Sequence, residues 1–590
     1  MAWFLASYAR DALARVDAAG DLPALKTVRS SLEEALGVTF EAEKGEHFFR
    51  STLVQTLFYG VFSAWALWAR EVPRKSERFE WKEAVWHLNV PFVRELFNQL
   101  SNPLRLKELG LIEVLNWTAG TLNRVDATEF FKRFNDADAV QFFYEPFLEA
   151  FDPALRKELG VWYTPAEVVS YMVERVDQAL REDLSVADGL ASEQVIILDP
   201  CCGTGAYIAA VLRKIDASLE ARGFGALKGQ MVKKAALERV FGFEIMPAPL
   251  VVAHLQVGLV LAELKAGLDG EQERAGIFLT NALTGWEPHV NKPLPFPELE
   301  EERARADSVK QQARILVIIG NPPYNGYAGM AVSEERELSN AYRQVKKVRR
   351  PEGQGLNDLY VRFFRMAQRR IADKSGQGVI AFISNYSWLD GLSFTGMRER
   401  FLEAFDAIRI DSLNGDKYKT GKTTPEGKPD PSIFSTEHNR EGIQVGTAIV
   451  TLVRKNAHEA AKAVELRQVW GTTKRAQLTD CAGAEPGAIY TAVTPPLELG
   501  LPFVAAAVGA GYFGWPKLPE LLPVSFPGVK TSRDEFLVSI DKEPLEKRIA
   551  AYFDPKVTHE EMRALHPSVM TETGDFNPAL TLPPKNVSLG

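Results

Sequence analysis

The chain has 590 residues, which is too long for one ordinary domain and predicts three or four structural units. Its composition, with 46% hydrophobic and 25% charged residues, excludes a wholly disordered or fibrous protein. The net charge of −8 excludes nucleic-acid binding through an overall positive field, so such binding would need local basic patches.

The cysteine content and the first residues predict where the protein works. Three cysteines, Cys201, Cys202 and Cys481, fit neither a disulfide framework nor a zinc ligand set. The first residues lack the basic region and the long apolar stretch of a signal peptide. We therefore predict a cytoplasmic protein with no metal site and no membrane anchor.

Residues 1–155 have helical patterns and few strand-like alternations, which predicts an all-α N-terminal domain. One stretch, 51–69, is apolar enough to cross a bilayer by length alone. It contains Gln55 and several hydroxyl groups, and the neighbouring helical patterns need a central helix to pack on. We therefore favour a buried helix over a membrane span.

Residues 156–455 alternate predicted helices with apolar strand candidates. An amphipathic helix follows Pro165, and the β-branched run 195–198 ends at Asp199. This alternation predicts a doubly wound, mostly parallel α/β sheet. The further strand candidates are Val240–Phe243, Ile315–Ile319, Val379–Ile383, Ala407–Ile410 and Thr447–Val453.

Residues 456–590 are richer in proline and glycine than the preceding region. This change predicts an irregular C-terminal region, with one short charged helix after Asp534. No internal repeat is visible in the chain.

Two features predict a site for a nucleotide-like cofactor. Where a buried strand is followed by a helix, the chain reads Asp199-Pro200-Cys201-Cys202-Gly203-Thr204-Gly205. Glycines in such a turn let the backbone approach a ligand, and open α/β sheets bind ligands at the carboxyl ends of their strands. The spacing is not the Gly-x-Gly-x-x-Gly fingerprint, so the turn alone is weak evidence. Glu244, at the tip of the next strand, can accept hydrogen bonds from both hydroxyls of a ribose.

The decisive motif is Asn321-Pro322-Pro323-Tyr324, which follows a predicted buried strand. The amide oxygen of Asn321 and the carbonyl of Pro322 can each accept one hydrogen from an exocyclic amine. Tyr324 offers a face on which a planar base can stack. The alternative is a rigid proline turn with an incidental tyrosine, which the two upstream features disfavour.

In this order the motifs resemble those of the gamma-class amino-group DNA methyltransferases with an Asn-Pro-Pro-Tyr loop. The resemblance covers residues 159–455. It implies a Rossmann-like class I fold, S-adenosylmethionine as cofactor, and adenine N6 in double-stranded DNA as the target, with the adenine flipped out of the helix. The loop 321–324 would be catalytic, Glu244 would bind the ribose, and Asn281 would lie near the adenine ring of the cofactor. The cofactor-binding residues implied by the resemblance are Tyr163, Thr164, Pro165, Asp199, Pro200, Gly203, Gly205, Glu244 and Asn281.

The flanks, including 50–55 and 528–534, look like the methyltransferase portion of Type ISP restriction-modification enzymes and of related phage-defence methylases. Those enzymes carry a nuclease and a translocase before this portion and a long target-recognition domain after it. Residues 456–590 would be only the start of such a domain. One alternative is therefore a recognition or assembly subunit of a defence complex that needs partner subunits for activity. Transfer to RNA, to a protein glutamine amide or to cytosine N4 also stays open.

Two basic clusters could contact DNA, although a solvated face is the simpler interpretation of either one. A P-loop mimic at 415–423 has five residues between its glycines where four are needed, and the Glu426-Gly427-Lys428 triplet lies between prolines. We therefore predict neither nucleotide hydrolysis nor DNA cleavage. The clusters are Arg343, Lys346, Lys347, Arg349 and Arg350, and Lys417, Lys419, Lys422 and Lys428.

Overall fold

The computed structural model describes the chain except for residues 20–24, 41, 72–77, 89, 135–145, 153–163, 270–272, 289–291, 325–332, 352–354, 437–438, 506–507, 510, 527, 529–530, 532, 555 and 572–590. The chain divides into two compact units, Met1–Ala506 and Ala507–Gly590. The candidate site lies in the first unit.

Every regular element described before residue 166 is helical, in agreement with the helical patterns of that region. Asn102 caps the helix that starts at Pro103, because its side chain accepts the N–H of Leu104. The α-helices are α1 (Ala2–Ala18), α2 (Lys26–Leu36), α3 (Ala42–Glu71), α4 (Ala84–His87), α5 (Pro91–Leu100), α6 (Pro103–Glu108), α7 (Ile112–Leu122) and α8 (Ala127–Phe134).

Helix α3 contains the long apolar stretch. A window within Gly45–Arg70 is apolar enough to cross a membrane, and 83% of that window is buried inside the protein. The helix packs against α1, α4, α5 and α7. Inside it, Gln55 donates to the Ser51 hydroxyl (3.2 Å), which in turn donates to Asp152 (3.0 Å). These buried polar groups bond within a protein core, as we predicted for a buried helix.

The described part of the first unit forms one sheet of nine strands, in the order β3-β2-β1-β4-β5-β7-β6-β8-β9. Strands β1 to β5 run parallel to one another, whereas β7 lies antiparallel between β5 and β6. This arrangement confirms the predicted mostly parallel α/β fold. The strands are β1 (Ile196–Asp199), β2 (Val240–Glu244), β3 (Ile277–Leu279), β4 (Ile315–Gly320), β5 (Gly378–Asn385), β6 (Ala407–Asn414), β7 (Thr447–Arg454), β8 (Val464–Gln468) and β9 (Thr491–Val493).

Both faces of the central part of the sheet are buried, so strands such as β4 and β5 are nearly continuous apolar runs rather than alternating ones. In β1, Ile197 packs into one hydrophobic cluster and Leu198 into the other. Helices therefore cover the sheet on two sides. They are α9 (Ala166–Glu182), α10 (Ala206–Ala221), α11 (Lys228–Glu238), α12 (Pro247–Glu263), α13 (Pro297–Gln312), α14 (Ser333–Asn340), α15 (Leu359–Gln368), α16 (Thr395–Ala404), α17 (Lys474–Asp480) and α18 (Pro486–Ile489).

The direction of the strands determines which loops can meet. Strand β1 lies between β2 and β4, so the strand order reverses beside it, and open α/β sheets bind ligands at such a point. Because β7 is antiparallel to both β5 and β6, those two strands point the same way, and β8 runs parallel to β6. The loops that follow β1, β2, β4, β5, β6 and β8 thus share one edge, here called the carboxyl edge.

The sheet extends beyond residue 455, where we predicted that the α/β region ends. Strand β8 pairs with β6, and β9 pairs with β8 at the edge of the sheet. Strand β8 places only Val464 and Leu466 in the interior, so its sequence lacks the continuous apolar run of a central strand. The N-terminal helices also share a hydrophobic cluster with the sheet, since α3 packs against α12. The domain limits at 155 and 455 remain predictions.

The second unit has short helices and a small core. Its buried apolar residues include Phe536, Met562, Val569 and Met570. The α-helices described in it are α19 (Leu518–Leu521), α20 (Asp534–Leu537), α21 (Lys542–Phe553) and α22 (His559–Leu565).

Candidate active site

The turn after β1 brings a buried carboxylate under a glycine-rich loop. The Asp199 Oδ1 atom accepts the N–H of Cys201 (3.1 Å), whereas Asp199 Oδ2 is buried with no hydrogen-bond partner among the described residues. Gly203 and Gly205 have φ values of 54° and 87°, and a Cβ on Gly203 would meet no atom within 4 Å. The turn therefore leaves space at Gly203, and it holds a buried carboxylate oxygen that can still accept a hydrogen bond.

Glu244 ends β2 beside the same turn. Its Oε2 accepts the N–H of Gly203 (2.9 Å), and its Oε1 accepts the N–H of Met246 (2.8 Å). Burial raises the pKa of Glu244 to about 7. Burial, reinforced by the nearby Glu244 carboxylate, also raises the pKa of Asp199 to about 8. Two buried carboxylates at one edge of the sheet favour ligands that supply hydrogen-bond donors or positive charge.

The catalytic-loop candidate lies directly beside this turn. A Cβ on Gly320, the last residue of β4, would lie 2.7 Å from Asp199 Oδ1 and 3.2 Å from the Cys201 sulfur. The backbone reaches Asn321 through this gap, so only glycine fits at 320 without moving Asp199. We did not identify Gly320 from the sequence, because nothing in one sequence shows that two strand ends approach so closely.

Thr164 and Asn321 form a contact that the sequence motifs do not suggest. The Asn321 side-chain amide donates to the Thr164 hydroxyl (3.0 Å), just before α9 begins. This bond fixes the plane of the amide and leaves its oxygen as the acceptor. Thr164 and Pro165 were predicted to bind the cofactor. Tyr163, predicted with them, lies outside the described residues.

Tyr324 packs against an aromatic residue that the sequence analysis missed. The rings of Tyr324 and Phe434 are 6.4 Å apart between centroids, with an angle of 87° between their planes. Both side chains are buried. Phe434 lies in the loop between β6 and β7, and it reaches the carboxyl edge because β7 is antiparallel. The one signal in the sequence is an aromatic residue shortly after two prolines at 429 and 431.

The segment that carries Phe434 is held by two cations that follow β8. The Lys474 ammonium donates to the carbonyl of Pro431 (2.8 Å). The Arg475 guanidinium donates to the carbonyls of Ile433 (3.0 Å) and Ser435 (3.0 Å). Alternate carbonyls of this segment are thus bonded to fixed side chains, which restrains the backbone on both sides of Phe434.

Asn281 is held within the fold after β3. Its amide donates to Glu335 Oε1 (2.8 Å), and its side-chain oxygen accepts the N–H of Leu283 (2.9 Å). The Lys310 ammonium donates to the Asn281 carbonyl (2.9 Å). Asn281 therefore shapes this part of the carboxyl edge, while its predicted place near the cofactor adenine stays a prediction.

The two cysteines in the turn do not look like nucleophiles. Burial raises the pKa of both the Cys201 and the Cys202 thiol well above the ordinary value, so each stays protonated. Among the described residues, no group of three or more His, Cys, Asp or Glu side chains could hold a metal ion.

Residues 135–355 match the N-6 DNA Methylase family. That methylase region contains the Asp199 turn, Glu244 and the 321–324 loop. The match confirms the predicted resemblance to N6-adenine methyltransferases.

The chain is also similar to one curated protein and to solved structures. Over 296 residues the chain is 24% identical to the adenine-specific methyltransferase PglX of Streptomyces coelicolor, covering 46% of this chain and 23% of that protein. The ATP-dependent Type ISP restriction-modification enzyme LlaBIII bound to DNA matches with a TM-score of 0.66 and 20% identity, over 94% of this chain and 35% of that one. The DrdV–DNA complex matches with a TM-score of 0.62 and 20% identity, over 93% of this chain and 51% of that one.

The two structural matches agree with the fold described above. The chain spans about a quarter of the length of PglX, about a third of LlaBIII and about half of DrdV.

Proposed function

We propose that this chain transfers a methyl group from S-adenosylmethionine to the N6 amino group of adenine in DNA, within a restriction-modification or phage-defence system. One observation carries the proposal. Asn321 stands at the end of β4, beside the Asp199 turn, and Tyr324 of the same loop faces Phe434. A methyl-donor site and a site for a planar base are thereby adjacent.

The residues after β1 and β2 suit this cofactor. The Asp199 Oδ2 atom is a buried acceptor with no hydrogen-bond partner in the described chain, and the space above Gly203 admits a ligand. Each Glu244 oxygen accepts one backbone N–H and has a further lone pair for a ribose hydroxyl. S-adenosylmethionine, when bound, supplies an electrophilic methyl group on a sulfonium centre. Asp199, Gly203 and Glu244 would hold it.

The 321–324 loop would orient the amine that receives the methyl group. With its amide nitrogen bonded to Thr164, Asn321 presents its oxygen to one amine hydrogen. The Pro322 carbonyl accepts the other, and no N–H at 322 or 323 competes with it. These bonds direct the nitrogen lone pair toward the methyl group. Catalysis would then rest on orientation and electrostatics rather than on a covalent enzyme intermediate.

The aromatic pair would hold an adenine outside the DNA helix. A stacked and paired adenine does not present N6 to a protein pocket, so the base must be flipped out. Tyr324 and Phe434 are only 7% and 4% exposed, so a base that stacks on Tyr324 must displace the atoms that cover it. We place this reaction in the cytoplasm, where DNA and S-adenosylmethionine meet.

Methyl transfer from labelled S-adenosylmethionine to unmethylated mixed-sequence DNA tests the proposal. We expect label in N6-methyladenine with the intact chain and none with Asn321→Ala. Asn456→Ala is a matched control, because Asn456 is exposed and follows β7 at the opposite edge of the sheet. Label in cytosine, RNA or protein would refute the adenine assignment. Cofactor binding without any transfer until a partner subunit is added would favour the assembly-subunit alternative.

A further inference from the structure

A turn between α14 and α15 concentrates positive charge in a chain of net charge −8. We call residues 343–350 the basic turn. It carries five lysines and arginines, and residues 339–351 include no Asp or Glu. Lys346, Lys347, Arg349 and Arg350 are exposed. A run of charged residues alone is usually a solvated face. Whether this one is a binding surface therefore depends on how its backbone is held.

A buried carboxylate fixes the backbone of the basic turn. Glu399 of α16 is 3% exposed. Its Oε1 accepts the N–H groups of Lys346 and Lys347, both at 2.9 Å, and its Oε2 accepts that of Val348 at 3.2 Å. Successive N–H groups that converge on one anion form a rigid nest. A merely solvated loop does not need a carboxylate withdrawn from water to hold it.

Close packing against α16 restrains the same turn. A Cβ on Gly396 would lie 1.9 Å from the Tyr342 carbonyl oxygen and 2.7 Å from Val345. Tyr342 itself is fully buried. The glycine therefore lets the backbone before the turn lie directly on the helix, and the cations extend from a fixed base.

The ends of the basic turn lie near the carboxyl edge of the sheet. The Thr395 hydroxyl, at the start of α16, donates to the Arg349 carbonyl (3.4 Å). Arg343 donates to Asn357 (3.4 Å), just before α15. Helix α16 runs from the end of β5 to the start of β6, and α15 leads to the start of β5, so both helices begin on the side of the catalytic loop. A groove of about 540 Å³ there is lined by Asn340, Arg343, Gln344, Val345 and Arg350.

We infer that the basic turn binds the phosphodiester backbone of double-stranded DNA beside the 321–324 loop. The inference rests on the proposed function. Duplex DNA carries one negative charge per about 1.7 Å of its axis, so a rigid row of cations can meet several phosphates at once. Phosphate contacts fix the position of a protein on the duplex without reading its sequence. The turn would thus hold the DNA while the loop acts on a base.

The test measures how duplex binding by the full chain depends on salt. Any duplex serves, because phosphate binding does not depend on sequence. We expect Lys347→Ala/Arg350→Ala to reduce the slope of log K against log salt concentration by about two and to weaken binding several-fold, with S-adenosylmethionine affinity unchanged. Lys347→Arg/Arg350→Lys should keep the original slope.

Lys234→Ala/Lys455→Ala is the matched control. Lys455 follows β7, and Lys234 lies in α11, which ends just before β2 begins, so the topology puts both at the opposite edge. The control should bind DNA like the unaltered chain. An unchanged slope in Lys347→Ala/Arg350→Ala, or an equal loss in the control, overturns the inference. Methyl transfer by the unaltered chain is measured in parallel at low salt. Absence of transfer there would refute the proposed function, whereas transfer together with an unchanged slope in Lys347→Ala/Arg350→Ala would refute only the inference about the basic turn.

Discussion

The ring of Tyr324 stands edge-to-face against the ring of Phe434, with 6.4 Å between centroids and 87° between planes. The two residues come from loops after different strands, and they meet because β4 and β6 end at the same edge of the sheet. The Tyr324 hydroxyl is buried with no hydrogen-bond partner in the described part of the chain. The tyrosine is therefore held by packing, and its ring belongs to an aromatic corner suited to a flat base.

Replacing the second ring of this corner should impair use of the target base. Stacking of a base on an aromatic side chain contributes about 1–3 kcal/mol, so Phe434→Ala should lower methyl transfer about 5- to 150-fold. Its affinity for S-adenosylmethionine should not change. The control is Phe526→Ala, because Phe526 is 85% exposed in the second unit. Initial rates check the loss of methyl transfer, and cofactor titration checks the unchanged affinity. Normal rates in Phe434→Ala would show that Phe434 takes no part in binding the base.

Arg475 should affect transfer through the backbone that it bonds. Arg475→Met loses the hydrogen bonds to Ile433 and Ser435, so the turnover number should fall by about tenfold with little change in melting temperature. Arg475→Lys keeps a donor and should recover part of the rate. The fluorescence of 2-aminopurine at the target position reports whether the base still stacks. If Arg475→Met and Arg475→Lys both kept the activity and the fluorescence of the unaltered chain, the segment would need no such restraint.

The order of elements was largely predictable because buried strands of an α/β sheet are continuous apolar runs. Ile315–Gly320 and Thr447–Arg454 show this directly, and both were found from the sequence. Strand β8 was missed because only Val464 and Leu466 point inward. Strand direction was equally hidden, since no local pattern shows that β7 lies antiparallel between β5 and β6.

The candidate site was predictable in part, because Asn321 and Glu244 stand in motifs that carry their own chemistry and both lie at the carboxyl edge of the sheet, whereas their roles remain predictions. It was not predictable where the function of a residue depends on what lies opposite. Gly320 matters because Asp199 is 2.7 Å from the Cβ that it lacks. Phe434 and the bond from Asn321 to Thr164 arise from contacts between distant segments, which one sequence does not reveal.

Gly320→Ala should disturb the Asp199 turn that follows β1. The added Cβ would lie 2.7 Å from Asp199 Oδ1, so the carboxylate must move, at a cost of about 1–3 kcal/mol in the free energy of unfolding. We expect the affinity for S-adenosylmethionine to fall at least about tenfold, or ~1.4 kcal/mol. Gly258→Ala in α12 meets nothing within 4 Å and should not destabilise the protein. Isothermal titration measures the affinity of both variants for S-adenosylmethionine. Unchanged affinity in Gly320→Ala would show that cofactor binding does not depend on the position of the Asp199 carboxylate.

The buried carboxylates should make stability depend on pH. In the folded protein the pKa of Asp199 is about 8 and that of Glu244 about 7, whereas in the unfolded chain both are near 4. Between these limits the folded state binds more protons than the unfolded state, so the free energy of unfolding falls as pH rises. The stabilisation is complete below about pH 4 and is lost as the pH rises through about 7 and 8, the pKa values of Glu244 and Asp199 in the folded protein.

Asp199→Asn removes one of these two titrating groups, so the free energy of unfolding should fall less steeply as the pH rises. Thermal unfolding without cofactor, measured from pH 6 to about 9, should show a smaller drop in melting temperature for Asp199→Asn than for the unaltered chain. Asp480→Asn, at an exposed aspartate of α17, should keep the original decline. The same Asp199→Asn variant should bind S-adenosylmethionine more weakly, because it loses the carboxylate that we propose holds the cofactor. A parallel decline in all three proteins would mean that Asp199 ionises as readily in the folded chain as in water.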